Sequence, residues 1–235
     1  MIKKILQSLL PAQFQERIQR LRKLIRNFKS LAVHYGQWRT IRDWDSVNSN
    51  GEPTPWYTYP ATEFLSHIDL SRFKVFEYGS GNSTLWWSRR AEQVTSVEDD
   101  ESWYLRVKNN IVANSEKVSY RFVKDRQQYF SMATSDFDVF IVDGKHRREC
   151  LEQIVSLGGG GVMLVLDNSD WYPKSVRFIQ DKLGWMQIDF HGFGPINDYT
   201  WTTSLFINPL RHSELNYLMP LKSISGLVQV DEGDY

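Results

Sequence analysis

Between residues 73 and 207 the chain alternates short runs of apolar, β-favouring residues with helix-forming stretches, and few folds accept that alternation. Strands separated by helices of ~10–15 residues need crossover connections, which implies a mainly parallel, doubly wound α/β sheet. The first strand holds Val75 and Phe76 and ends at Glu77. Further strands are expected at 94–98, 118–123, 137–142, 162–166, 186–190 and 204–207, with helices at 85–90, 101–113, 146–157 and 175–183. No helix fits between the last two strands. They are therefore expected to be antiparallel neighbours closing a seven-stranded sheet.

The rest of the chain is assigned around that domain. Residues 61–210 form it, with a helix starting at 61–67; 1–42 form a basic helical appendage, 43–60 a connector and 211–235 a tail. Across residues 12–33, Phe14, Ile18, Leu21, Ile25 and Phe28 repeat at helical spacing, flanked by Arg17, Arg20, Lys23 and Arg26. Such a helix either packs on the domain with a solvated basic face or lies on an anionic membrane surface or a partner. Residues 1–30 carry a net charge of +7, so the remainder carries −7, which disfavours a nucleic-acid partner. In the connector, Trp56, Tyr57 and Tyr59 either anchor the chain or form a flap over a ligand. The single cysteine, Cys150, excludes an internal disulfide framework; it suits a reducing compartment, and a cytoplasmic protein is expected. No apolar run approaches the ~20 residues of a bilayer span. The apolar start is short and broken by Gln7 and Ser8, which argues against a signal peptide.

The turn after the first strand reads Gly79-Ser-Gly-Asn-Ser-Thr84. Two glycines let a ligand approach the backbone, and the helix that follows offers free N–H groups to an anionic group. Ligands of open α/β sheets bind beyond the carboxyl ends of the strands. Five acidic side chains fall there: Glu77, Glu98, Asp125, Asp143 and Asp167. One would mean a cap or a turn; five on one edge mean a site. Glu98 follows Gly81 by seventeen residues, about where a carboxylate meets ribose hydroxyls. Thr84 occupies the place of the third glycine of a dinucleotide fingerprint, and Glu77 would sit poorly beside a pyrophosphate.

The segments Val75-Phe-Glu-Tyr-Gly-Ser-Gly-Asn-Ser-Thr84, Val94-Thr-Ser-Val-Glu-Asp-Asp100 and Phe137-Asp-Val-Phe-Ile-Val-Asp-Gly144 resemble the successive motifs of class I S-adenosylmethionine-dependent methyltransferases. The resemblance covers residues 60–207. It implies that Glu77, Gly79 and Gly81 contact the methionine part of the cofactor, with Ser83 where many members carry glycine. It further implies that Glu98 binds ribose, Asp125 lies near adenine and Asp143 touches the cofactor. Asp143, Asp167 and Asn168 resemble the Asp, Asp, Asn set of metal-dependent O-methyltransferases of the catechol type, hard oxygen ligands suited to Mg²⁺ or another divalent cation. His146 follows the Asp-Gly by two positions, as in sugar O-methyltransferases, where it would act as base. The alternatives are that Asp143 serves the cofactor alone, Asp167-Asn168 makes a turn and His146 caps its helix. Lys145 and Arg147 read as exposed helix-start charges or as contacts to an acidic substrate, and Cys150 as buried packing.

In the segment 191–203, Phe193, Tyr199 and Trp201 could wall an acceptor pocket while Asn197 and Asp198 orient hydroxyls; otherwise it is a hairpin loop with its own small core. The expected activity is methyl transfer from S-adenosylmethionine to a hydroxyl of a small molecule or saccharide. A nicotinamide-dependent, sugar-modifying Rossmann enzyme and a membrane-associated, non-catalytic binding module are the competing readings.

Overall fold

A computed structural model describes residues 11–218 and 222–226. The leader reading of residues 1–10 and residues 219–221 and 227–235 of the tail fall outside the described residues. Seven strands form one sheet: β1 Lys74–Tyr78, β2 Gln93–Glu98, β3 Val118–Phe122, β4 Val139–Val142, β5 Met163–Leu166, β6 Met186–Gly192 and β7 Trp201–Ile207. Their order is β3-β2-β1-β4-β5-β7-β6. Neighbours from β3 through β5 run parallel, and β7 is antiparallel to both β5 and β6. This is the doubly wound sheet with an antiparallel last strand that the alternation predicts.

The helices are α1 Ala12–Lys29, α2 Gln37–Asp43, α3 Tyr59–Leu65, α4 Asn82–Ser88, α5 Glu101–Asn114, α6 Arg126–Ser131, α7 Arg147–Ser156 and α8 Pro173–Leu183. The expected helix over 12–33 ends earlier, at Lys29, and a π-helical turn spans Ser30–His34. A small antiparallel pair, Ile68–Asp69 with Asn216–Tyr217, lies outside the main sheet.

Both faces of the sheet are covered, so its central strands are continuous apolar runs. Their side chains divide by the period of two. Val75, Val139, Ile141, Val165 and Leu205 join one core with Trp86 and Trp87 of α4. Phe76, Phe140, Val142, Leu164 and Phe206 join the other, with Leu151 and Ile154 of α7. Cys150 is fully buried in that second core. Fixing both faces leaves the carboxyl edge as the place where loops gather.

α2 and the segment after it belong to this edge. Gln37 and Thr40 are buried; Gln37 Nε2 donates to the Asn197 carbonyl (2.7 Å) and Thr40 Oγ1 accepts from Ile196 N (2.9 Å). Tyr57 is fully buried, its hydroxyl accepting from Trp87 Nε1 at 3.3 Å, so it anchors the connector.

Candidate active site

The ends of β1, β2, β4 and β5 open on one cavity of about 830 Å³. Its floor is a contact between two turns. Gly79, at φ +95°, lies so close to the turn after β4 that a Cβ on it would stand 2.8 Å from the Gly144 backbone nitrogen. A Cβ on Gly144 would in turn meet Gly79 N at 3.0 Å. Glycine is needed at both positions because the chain reverses at two strand ends in the space of one. Gly81 opens beyond them against Trp103, whose indole N–H donates to the Ser80 carbonyl at 2.8 Å. Trp103 is placed by Asp100, which caps α5 by accepting from Trp103 N.

Of the residues read as cofactor contacts, Gly79, Gly81, Ser83, Glu98 and Asp143 line this cavity. Glu98 is almost wholly buried; Oε2 accepts from Ser80 Oγ (2.7 Å) and Oε1 from the amides of Asp99 and Asp100. Burial raises its pKa against those hydrogen bonds.

Two of the expected contacts are placed elsewhere. Glu77 lies behind the cavity wall, fully buried, its oxygens taking the hydroxyls of Ser83 (2.6 Å) and Thr84 (2.5 Å). Desolvation lifts its pKa to about 7, opposed by those hydroxyls. Its work is to hold the start of α4 beneath the glycine turn. Asp125 is exposed and caps α6, accepting from Gln128 N at 2.8 Å, and does not line the cavity.

Asp143, Asp167 and Asn168 line the same cavity, at the ends of β4 and β5. What lies among them is a guanidinium. Arg147 Nη2 donates to Asp143 Oδ1 and to Asn168 Oδ1, each at 3.0 Å, and Nη1 donates to the Tyr172 hydroxyl at 2.9 Å. Arg147 is therefore a buried partner rather than an exposed helix-start charge, its side chain only 10% exposed. Asp167 is buried, and its Oδ1 accepts from Trp201 Nε1 (3.0 Å) and Thr203 Oγ1 (2.6 Å). Burial raises the pKa of both carboxyls, that of Asp143 to about 6 despite the guanidinium; the charge of Asp143 adds to the rise at Asp167.

This oxygen set does not fit a resident divalent cation. Two of the three proposed ligands, Asp143 and Asn168, already accept hydrogen bonds from Arg147, and only Asp143 offsets its charge. The proposed base is also displaced. His146, at φ 58°, is not among the lining residues, and its Nε2 lies 3.5 Å from Asp99 Oδ2. It occupies the N-cap position of α7.

The segment after β6 emerges on this edge because β6 runs parallel to the central strands. It gives Ile196, Asn197, Tyr199 and Trp201 to the lining, whereas Phe193 and Asp198 stay outside it. Tyr199 sits between Trp171 (ring centroids 6.3 Å, 31°) and Trp201 (6.1 Å, 61°). Trp44 and Trp56 add aromatic surface from the chain before α3. Residues 45–46 are tied to α4 by Asn82 Nδ2, which donates to Asp45 Oδ1 and the Ser46 carbonyl. Trp44, Asn168 and Ile196 all have positive φ and all line the cavity, the distribution expected where loops are held in strained shapes around a site.

The sequence reading missed Trp44, Trp103 and the inward role of Arg147. The last carried a signal, since it stands four residues after Asp143 at a helix start.

No protein-family model matches this sequence, and no curated protein matches it. Solved structures do. Precorrin-6y C5,15-methyltransferase from Geobacter metallireducens superposes with a TM-score of 0.50 at 14% identity, over 71% of this chain and 95% of its own. Precorrin 8w decarboxylase from Methanobacterium thermoautotrophicum gives 0.48 at 16%, over 71% and 97%. N-methyltransferase NodS from Bradyrhizobium japonicum, in complex with S-adenosyl-L-homocysteine, gives 0.45 at 14%, over 63% and 82%. At these identities the likeness is one of fold.

Proposed function

We propose that this chain is an S-adenosylmethionine-dependent methyltransferase that acts on a hydroxyl of an uncharged small molecule or saccharide. One observation carries the reading: Glu98, Asp143 and Asp167, from three sequence-distant strands, line a single cavity with the glycine turn at its floor. The volume falls within the range of ligand sites. Its lining holds six carboxylates, Asp43, Asp45, Glu98, Asp100, Asp143 and Asp167, against Arg106 and Lys145. Such a surface favours a cationic cofactor and disfavours an anionic acceptor.

When bound, S-adenosylmethionine supplies a methyl carbon that is already electrophilic, so the chain has to align an oxygen and take its proton. Glu98 would accept hydrogen bonds from ribose hydroxyls, and Trp103 offers a flat face beside Gly81. Trp171, Tyr199 and Trp201 would hold the acceptor ring at the opposite end. Asp143 would accept the hydrogen bond of the reacting hydroxyl. Burial lifts its pKa to about 6, which makes it a stronger base than an exposed aspartate. Arg147 holds that carboxylate in place, and no step passes through a metal ion.

Calorimetry tests the cofactor: saturable heat with S-adenosylmethionine and with its demethylated product is expected. Heat with a nicotinamide dinucleotide alone would overturn the reading. On the acceptor side, replacing both Trp171 and Tyr199 by Ala should leave cofactor affinity within about threefold and remove turnover of any acceptor found. Loss of cofactor binding in that variant would refute the division of the cavity.

A further inference from the structure

Among the described residues α1 has no tertiary partner for its apolar side. None of its residues is buried, and Phe14, Leu21, Leu24, Ile25 and Phe28 are 52–77% exposed. Helices of this length in water owe most of their stability to packing such a face. At about 100° per residue, Phe14, Ile18, Leu21, Ile25 and Phe28 fall within about 80° of the circumference, a narrow continuous stripe. Arg17 borders it on one side and Lys29 on the other, with Arg20 and Arg26 further round. Glu16 is the one acid of the helix and pairs with Arg20 at 3.5 Å. The base of the helix is fixed to the body: Ser30 Oγ and His34 Nδ1 each lie 2.7 Å from Ser225 Oγ. Beyond it Val33 and Trp38 are 46% and 72% exposed.

We infer that α1 lies along an anionic lipid surface, its stripe in the acyl boundary and its arginines and lysines at the headgroups. This inference stands apart from the methyltransferase reading. The combination decides among occupants. A nucleic acid would satisfy the cations and leave the phenylalanines and leucines in water. A second copy would cover the stripe but set two helices of net charge +5 side by side. Of these three occupants the anionic bilayer meets both faces, because long basic side chains reach the headgroups while apolar ones enter the boundary.

The full-length protein is mixed with vesicles of about three parts phosphatidylcholine to one of phosphatidylglycerol, or of phosphatidylcholine alone, and sedimented. Binding to the anionic vesicles is expected to be at least about tenfold tighter, and raising salt from about 0.1 to 0.5 M should weaken it about tenfold, since surface attractions are screened. The double substitution Ile25→Glu, Phe28→Glu should abolish binding while leaving the thermal unfolding temperature unchanged, as both side chains are exposed. Absence of binding to anionic vesicles overturns the inference. So does a dimer in sedimentation velocity that the double substitution splits, or an affinity for duplex nucleic acid above that for vesicles.

Discussion

Replacing Arg147 by Met keeps the volume of the side-chain stem and removes the guanidinium that pairs with Asp143. In the native chain that pair is mostly desolvated, with side chains 10% and 22% exposed and Nη2 to Oδ1 at 3.0 Å. Breaking a buried pair by deleting one partner costs about 3–5 kcal/mol because the other charge stays buried. The partial exposure of Asp143 places this case at the lower end, about 3 kcal/mol at pH 8. The penalty belongs to the ionised carboxylate, so its sign with pH is fixed. Asp143 already titrates near 6 in the folded chain, above its ordinary value, and loss of Arg147 raises it further. A group shifted upward destabilises the fold only as pH climbs past its unfolded value. At pH 5 the variant holds a proton on Asp143 and should lose only about 1 kcal/mol, for the hydrogen bonds to Tyr172 and Asn168. Urea unfolding followed by tryptophan fluorescence at pH 5 and pH 8 reads the difference. An equal loss at both pH values would show that Arg147 acts by packing alone. The same variant frees two of the three oxygen ligands, Asp143 and Asn168, so millimolar Mn²⁺ should raise its unfolding temperature, by linkage, and leave the native protein unmoved. Stabilisation of the native protein by Mn²⁺, abolished in Asp167→Ala, would restore the metal to this site.

Glu77→Gln should remove a pH dependence. Because the folded pKa is about 7, the carboxyl carries its proton in the native state where the unfolded chain has lost it, and stability falls as pH rises from about 4.5 to 7. That window corresponds to a loss on the order of 3 kcal/mol, so the variant should gain on the native protein by this amount between urea melts at pH 5 and pH 7.5; a constant difference would refute the buried proton. Gly79→Ala forces a side chain into a positive φ and against the Gly144 backbone, for a cost of about 2–4 kcal/mol, seen as a fall in unfolding temperature on the order of 10 °C. An unchanged melt would show that the two turns can separate.

The sheet was legible because its evidence is distributed. Val139–Val142 and Met163–Leu166 are apolar at every position, which only a strand covered on both faces tolerates, and the spacing between strands left room for a helix in each crossover. The carboxyl-edge site was legible for the same reason: strand ends are set by topology, so Glu98, Asp143 and Asp167 had to meet. Orientation was not. Glu77 leaves β1 on the face that α4 covers, and Asp125 lies on the exposed edge after β3, where its backbone starts a helix. Neither outcome depends on residue type, only on pleat and on where the next helix returns. The left-handed backbone at His146 is equally silent in sequence, and His146 is not among the residues lining the cavity. Residues 37–46 offered no local signal at all, since their partners, Ile196, Asn197 and Asn82, lie 36 to 160 positions away.

Those long-range contacts change what the cavity selects. Asp43 and Asp45 come from a stretch that reads as linker, yet they bring the lining to six carboxylates against two cations, while Arg147 spends its charge on Asp143 and Asn168. A divalent ion would have offset that excess and drawn in phosphorylated or carboxylated acceptors. A guanidinium already committed to its own neighbours does not. On the proposed reading the remaining field would repel anionic acceptors, and discrimination among acceptors would fall to hydrogen bonds and to the tryptophan and tyrosine faces, which would recognise an uncharged ring by shape.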